Sequence, residues 1–118
     1  MTSSEFTGFY KLKPEERLRF VSEFAHLDRT ELNLLSAPSA LKIDAANRMI
    51  ENLVGIMPVP LGVAVNFLIN GRDMIVPMAI EEPSVVAAAS NAAKMARDGG
   101  GFHTSSTGPV MIGQIQTV

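Results

Sequence analysis

Ile80-Glu81-Glu82-Pro83-Ser84 sets two carboxyl groups, a proline and a hydroxyl where an extended run gives way to a helical one. Proline suits the first helical position, which makes Glu82 a cap-position residue and puts Ser84 inside the first turn. The unpaired backbone N–H groups of a helix start favour anions or developing negative charge. A carboxyl group beside them could act in proton transfer if burial raised its pKa. Acidic residues near a helix start are also favoured by the dipole alone, and on these residues alone that plainer reading is the more economical.

Two further stretches carry candidate chemistry. Glu51-Asn52 stands at the end of a helical pattern, before Gly55 and a Pro58-Val59-Pro60 turn, where a fixed scaffold can project both side chains. Spacing alone leaves their role open. Gly99-Gly100-Gly101-Phe102-His103-Thr104-Ser105-Ser106 has the glycines of a phosphate cradle. It lacks the Gly-Lys-Ser/Thr ending of a P-loop and leads into a strand-like run, so a helix stop followed by a polar loop is the better reading. His26 and His103 show no metal-ligand spacing, and the chain has no cysteine, which excludes disulfides, a thiolate nucleophile and a cysteine metal site.

The elements that must position these residues form an α+β pattern. Pro14 to Leu27 reads as a helix, with Leu18, Val21 and Ala25 on one stripe and Glu15 and Glu16 complementing its dipole. Asp28 and Glu31 resemble a capping box opening a second helix through Leu35, ended by Pro38. A third helix is expected from about Leu41 to Leu53, with Ile43, Ala46, Ile50 and Leu53 on one side and Gly55 as its stop. Leu61–Ile69 and Met74–Ile80 are β-rich runs joined by Asn70-Gly71-Arg72-Asp73, a strong hairpin signal. A buried, alanine-rich helix follows from Pro83, with Val85, Val86, Ala89, Ala93 and Ala96 on its apolar side. Glycines 99 to 101 stop it, and a strand from about Val110 to Val118 closes the chain. The expected organisation over residues 1–118 is a helical region, 1–55, and a hairpin–helix–strand core, 56–118.

At 118 residues the chain has the size of one domain. Hydrophobic residues make up 47% of it, a surplus that suggests burial against a partner subunit or further polypeptide. A net charge of −2 argues against nucleic acid as a partner, and no apolar run is long enough to span a membrane. The N-terminus lacks the order of a secretory signal, so a cytoplasmic location is expected. No charged residue follows Asp98, and so uncharged an end suggests a chain that continues.

Together these motifs resemble a known family. Glu51-Asn52-Leu53-Val54-Gly55 is similar to the ENxxG signature of hydroxymethylglutaryl-CoA (HMG-CoA) reductases, and MPVPLGVAVNF continues it. The resemblance runs on through INGRDMIVPMAIEEPSVVAAAS and ends in GGGFHTSSTGPVMIGQIQ. The EEPSVVAA stretch and the short loop after the glycines resemble the class II, bacterial type; class I members carry a longer, arginine-containing loop there.

The resemblance implies an oxidoreductase that reduces HMG-CoA to mevalonate and releases CoA, using two NADH or NADPH; some class II members run the reaction oxidatively. It implies that Glu82 is the catalytic glutamate, that Ser84 contacts the hydroxymethylglutaryl group, and that Glu51 and Asn52 lie near a dimer interface where the active site is assembled. GFYKLKP matches a stretch supplying basic contacts to CoA phosphates. This chain has Tyr10 where a class II enzyme can carry arginine, and Lys11 beside it could substitute as a point charge. Further implications are the first part of the large, substrate-binding domain, a homodimer or higher oligomer, no metal, and a nicotinamide cofactor held mainly by a small domain lying downstream. A stand-alone, non-catalytic CoA-binding or structural module of the same family is the second reading.

Overall fold

The computed structural model describes residues 3–36 and 41–116. Pro38, expected to end the second helix, and Thr117 and Val118, expected to end the last strand, lie outside the described residues. Helices α1 (Pro14–Ala25), α2 (Arg29–Ser36) and α3 (Ile43–Ala46) precede an antiparallel hairpin of β1 (Leu61–Ile69) and β2 (Arg72–Ala79), and α4 (Val85–Asp98) follows it. A 3-10 turn over Phe9–Lys11 leads into α1. The architecture is α+β.

Several of these elements follow from local chemistry. The Lys13 N–H donates to the Glu16 carboxylate (2.8 Å) at the start of α1. At α2 the Asp28 and Glu31 side chains cap each other's backbone N–H groups reciprocally, at 2.9 and 2.8 Å, as the capping box predicts. Asn70 and Gly71 both take positive φ, 49° and 75°, which is the type I′ geometry that matches the twist of paired strands. The loop is thus two residues long. Arg72 and Asp73 belong to β2, opposite Ile69 and Leu68, where a four-residue connection was expected.

β1 contains a bulge. Ala64 pairs with Val76 and Phe67 with Met74, so Val65 and Asn66 together face Ile75. Asn66 adopts a left-handed conformation (φ 71°), and its N–H donates to the Ser4 carbonyl (2.9 Å). The Val65 N–H donates to Ser90 Oγ on α4 (3.1 Å). The core sits here: Ala64, Val65, Ala93, Ser4 and Asn66 are buried between hairpin, helix and N-terminal segment. Beside it Phe6, Phe9 and Phe20 meet edge to face at 5.2–5.4 Å, with Phe24 stacked on Phe20.

Four expectations need correction. The third helix spans only Ile43–Ala46 and continues as turns to Asn52, with Arg48 and Met49 bonded to carbonyls three residues back. Of its stripe only Ala46 is buried, while Ile43 and Ile50 are more than half exposed; an unpacked helix of that length is marginal. Residues 110–116 form no strand, because none of the described residues offers them a ladder; Val110, Met111, Ile112 and Ile115 are exposed. The chain meets β1 earlier, where Phe102 bridges Ile69 in parallel. Helix α4 is buried on one stripe only: Ala93 is fully covered and Val85, Val86, Ala89 and Ala96 are partly covered, but Ala87, Ala88 and Ala92 face out. Finally, α4 starts at Val85 and not at Pro83. Ser84 is its N-cap, in a left-handed conformation (φ 70°), and Glu82 lies two residues before the cap.

The whole is open. Its radius of gyration is 18.3 Å, against about 13–14 Å for a compact domain of this length. Its accessible surface is 9896 Å², against roughly 6,200 Å² for a compact protein of this mass.

Gly101 marks where the chain after α4 is pressed onto β1. Its φ is +83°, and a Cβ there would collide with the Leu68 carbonyl oxygen. The Phe102 N–H donates to Leu68 O (2.8 Å) and the Asn70 N–H to Phe102 O (2.9 Å). Replacing Gly101 with alanine is expected to cost about 2 kcal/mol or more of stability. Urea denaturation of the variant checks this, and an unchanged midpoint would contradict the contact.

Candidate functional site

An open groove of about 1350 Å³ lies between the N-terminal segment with α1 on one side and the hairpin with α4 on the other. Glu82 and Ser84 both line it. Both residues are exposed, and the strand-to-helix passage sets them on the same open cleft without the burial that the sequence reading required of Glu82. Ser84 makes no side-chain capping bond; its carbonyl accepts from Ala88 N (2.8 Å) to begin α4.

The other expected site residues are placed differently. Glu51 and Asn52 lie in the turns that follow α3, both exposed, with Asn52 at φ 56°, and neither is among the residues lining the groove. Lys11 ends the 3-10 turn with its ammonium 5.8 Å from the centre of the Tyr10 ring. Tyr10 lines the groove and Lys11 does not.

Two cations not singled out in the sequence do border the groove. Lys94 reaches across it, Nζ lying 3.4 Å from Thr7 Oγ1, and it has no ion pair among the described residues. Arg17 donates to the Tyr10 carbonyl (3.0 Å), while its buried Nε has no partner. With Glu15 and Glu82, the groove offers two carboxylates and two guanidinium or ammonium groups above an apolar floor of Val63, Val65 and Val86.

Beneath it runs a polar network. Asn66 uses every polar atom: N–H to Ser4 O, Oδ1 from Phe6 N (2.9 Å), Nδ2 to Ser90 O (3.0 Å), and its carbonyl from Arg97 (3.4 Å). Ser4 Oγ meets Phe67 O and Asp73 Oδ1, each at 2.8 Å, and Arg97 bridges Asp73 (2.8 Å), Ser4 and Glu5. Burial by itself would raise the Asp73 carboxyl. Hydrogen bonds from Ser4 and Arg97, together with the Arg97 charge, outweigh that and hold it at about 2, below its ordinary 3.8. Sequence reasoning missed Asn66, Ser90, Asp73 and Arg97. A signal existed: an asparagine inside the apolar run Leu61–Ile69 must find buried partners.

Residues 13–118 match the family described as hydroxymethylglutaryl-coenzyme A reductase. This chain belongs to that family. The 3-hydroxy-3-methylglutaryl-coenzyme A reductase of Archaeoglobus fulgidus is 60% identical over 114 residues, covering 97% of this chain and 26% of that protein. The reductase mlcD of Penicillium citrinum is 46% identical over 61 residues, 52% of this chain and 5% of that protein. Among solved structures, the class II reductase of Streptococcus pneumoniae bound to NADPH is similar, with a TM-score of 0.75 and 35% identity over 84% of this chain and 27% of that one. The chain thus spans about a quarter of the length of the Archaeoglobus and pneumococcal reductases.

Glycines 99 to 101 do not form a phosphate cradle at a helix start. The glycines at 99–101 sit at the C-terminal end of α4, where carbonyls and the negative dipole end disfavour phosphate. Gly101 is also closed off by Leu68. The described residues hold no cluster of three or more metal-ligating side chains, and no described helix is long and apolar enough to cross a membrane.

Because the folded carboxyl of Asp73 sits below its ordinary value, its contribution to stability is complete above about pH 4 and falls away as pH drops toward 2. Allowing for partial exposure, that contribution is roughly 1–2 kcal/mol. Denaturation midpoints at pH 5 and pH 2.5 are expected to differ more for the native chain than for Asp73→Asn, and equal pH dependence would refute the assignment.

Proposed function

We propose that this chain supplies the substrate side of an HMG-CoA reductase active site, in an enzyme interconverting HMG-CoA with mevalonate and CoA at the expense of NADH or NADPH. Glu82 is the carboxyl that exchanges a proton with the reacting oxygen, and Ser84 contacts the hydroxymethylglutaryl group. The observation that carries this is the convergence of Glu82 and Ser84 on one groove, in a chain of this family. Arg17 and Lys94, facing the groove beside the carboxyl groups of Glu15 and Glu82, are cations that can pair with the anionic groups of such a thioester. Lys11, on the turn beside Tyr10, is proposed to stand near the CoA phosphates as a point charge. Glu51 and Asn52 are proposed to join the site through the ENxxG turn.

On this reading residues 1–118 form the first part of the large, substrate-binding domain of a cytoplasmic homodimer or higher oligomer. The chain's own share of the chemistry is binding, orientation and a proton at the Glu82 carboxyl. Hydride delivery and the cation that would stabilise an oxyanion come from elsewhere.

Accordingly, the 118-residue chain is expected to oxidise neither NADH nor NADPH in the presence of HMG-CoA, and turnover would overturn the division of labour. Titration with HMG-CoA, followed through backbone amide shifts, is expected to perturb Glu82, Ser84 and Lys94, and Lys94→Glu should weaken binding about tenfold. Shifts confined to residues away from the groove would sink the assignment.

A further inference from the structure

Arg97 lies outside the groove, yet it is joined to both of its walls. It sits in the last turn of α4, the helix whose other end presents Ser84. Its guanidinium contacts Asp73, Ser4, Glu5 and the Asn66 carbonyl, and its side chain is 17% exposed. From Ser4 the chain reaches the groove within two residues. Phe6, Thr7, Gly8, Phe9 and Tyr10 then form one stretch of its wall. Phe6 and Phe9 pack edge to face on Phe20, so this stretch and α1 form one body. Among the described residues, that body is tied to hairpin and α4 by polar contacts of Ser3, Ser4, Glu5 and Phe6, plus the long Lys94–Thr7 contact of 3.4 Å.

We infer that Arg97 is a positioning residue for ligand binding: by holding Ser4 and Asp73 together it seats the Phe6–Tyr10 wall and α1 against α4, and so sets the groove that Glu82 and Ser84 face. This rests on the groove being the substrate site proposed above. The physical logic is that of a hinge. Without the guanidinium, the Asp73 carboxylate loses its cation and Ser4 loses one of its partners, at the point where the wall joins the sheet. The wall can then move relative to α4, and a ligand spanning both must first bring them back together. Lysine at position 97 keeps the charge but cannot serve Asp73, Ser4 and Asn66 simultaneously, since it lacks the planar fork.

The test is calorimetric titration of the 118-residue chain with HMG-CoA, comparing the native sequence with Arg97→Met, Arg97→Lys and Ser4→Ala, alongside amide hydrogen exchange. Arg97→Met is expected to weaken binding at least about tenfold although residue 97 touches no ligand, and Arg97→Lys to recover part of it. The Phe6 and Asn66 amides, which bond across the junction, should lose protection while the ladder between β1 and β2 keeps its own. If Arg97→Met exposes the hairpin ladder as well, Ser4→Ala decides, with a smaller loss in the same direction expected. Unchanged affinity in a folded Arg97→Met or Ser4→Ala variant, beside a native chain that binds, overturns the positioning role alone. A native chain that does not bind HMG-CoA overturns the substrate-site reading and this inference with it. The two failures are therefore told apart by the native titration.

Discussion

Two backbone N–H groups turned out of a β-ladder organise this structure. The bulge at Val65 and Asn66 takes their amides away from β2. A buried amide left without a partner costs about 1–3 kcal/mol, so each must be met from outside the hairpin. Ser90 meets one from α4, and the Ser4 carbonyl meets the other from the N-terminal segment. Elements far apart in sequence are thereby fixed to adjacent residues of one strand. The groove is the space between them, which is why a strand irregularity and not an apolar interface sets where its walls stand.

Asp73 and Arg97 reinforce the same point by a different force. Desolvating a carboxylate is unfavourable, which offsets part of what a half-buried ion pair contributes to stability. What this pair adds beyond stability is location. The Asp73 carboxylate accepts from the Ser4 backbone and hydroxyl as well as from Arg97, so only one seat of the N-terminal segment satisfies all three donors. An apolar contact in that place would tolerate sliding, whereas directed hydrogen bonds do not.

What could be read from the residues divides along this line. Where neighbours in sequence carry the information, the expectation and the structure coincide: the Asp28–Glu31 box, the Asn70-Gly71 turn, the β1 limits, and the stripe of Val85, Val86, Ala89, Ala93 and Ala96. The element boundary at Glu82 and Ser84 was legible for the same reason, although the helix starts two residues later than Pro83. Where long-range partners decide, pattern failed. Asn66 inside an apolar run signals a need for buried partners, but nothing near it in sequence names Ser4 or Ser90. Asp73 looked like a turn residue because Asn-Gly-Arg-Asp is polar throughout. The helix over 41–53 and the strand over 110–118 had the right periodicity, but a stripe or ladder needs a surface to meet it.

That last distinction bears on how the candidate site is divided. Glu82 and Ser84 are carried by the hairpin–α4 unit, whose position is set by buried hydrogen bonds and a packed core. Glu51 and Asn52 are carried by short turns between α3 and β1, flanked by the exposed side chains of Met49, Ile50, Val54 and Met57. Short-range turns fix local conformation but exert almost no hold on the orientation of a segment relative to the sheet. The backbone that carries Glu82 and Ser84 is therefore anchored to a packed unit, while the turns that carry Glu51 and Asn52 have a local shape without a fixed seat on the sheet.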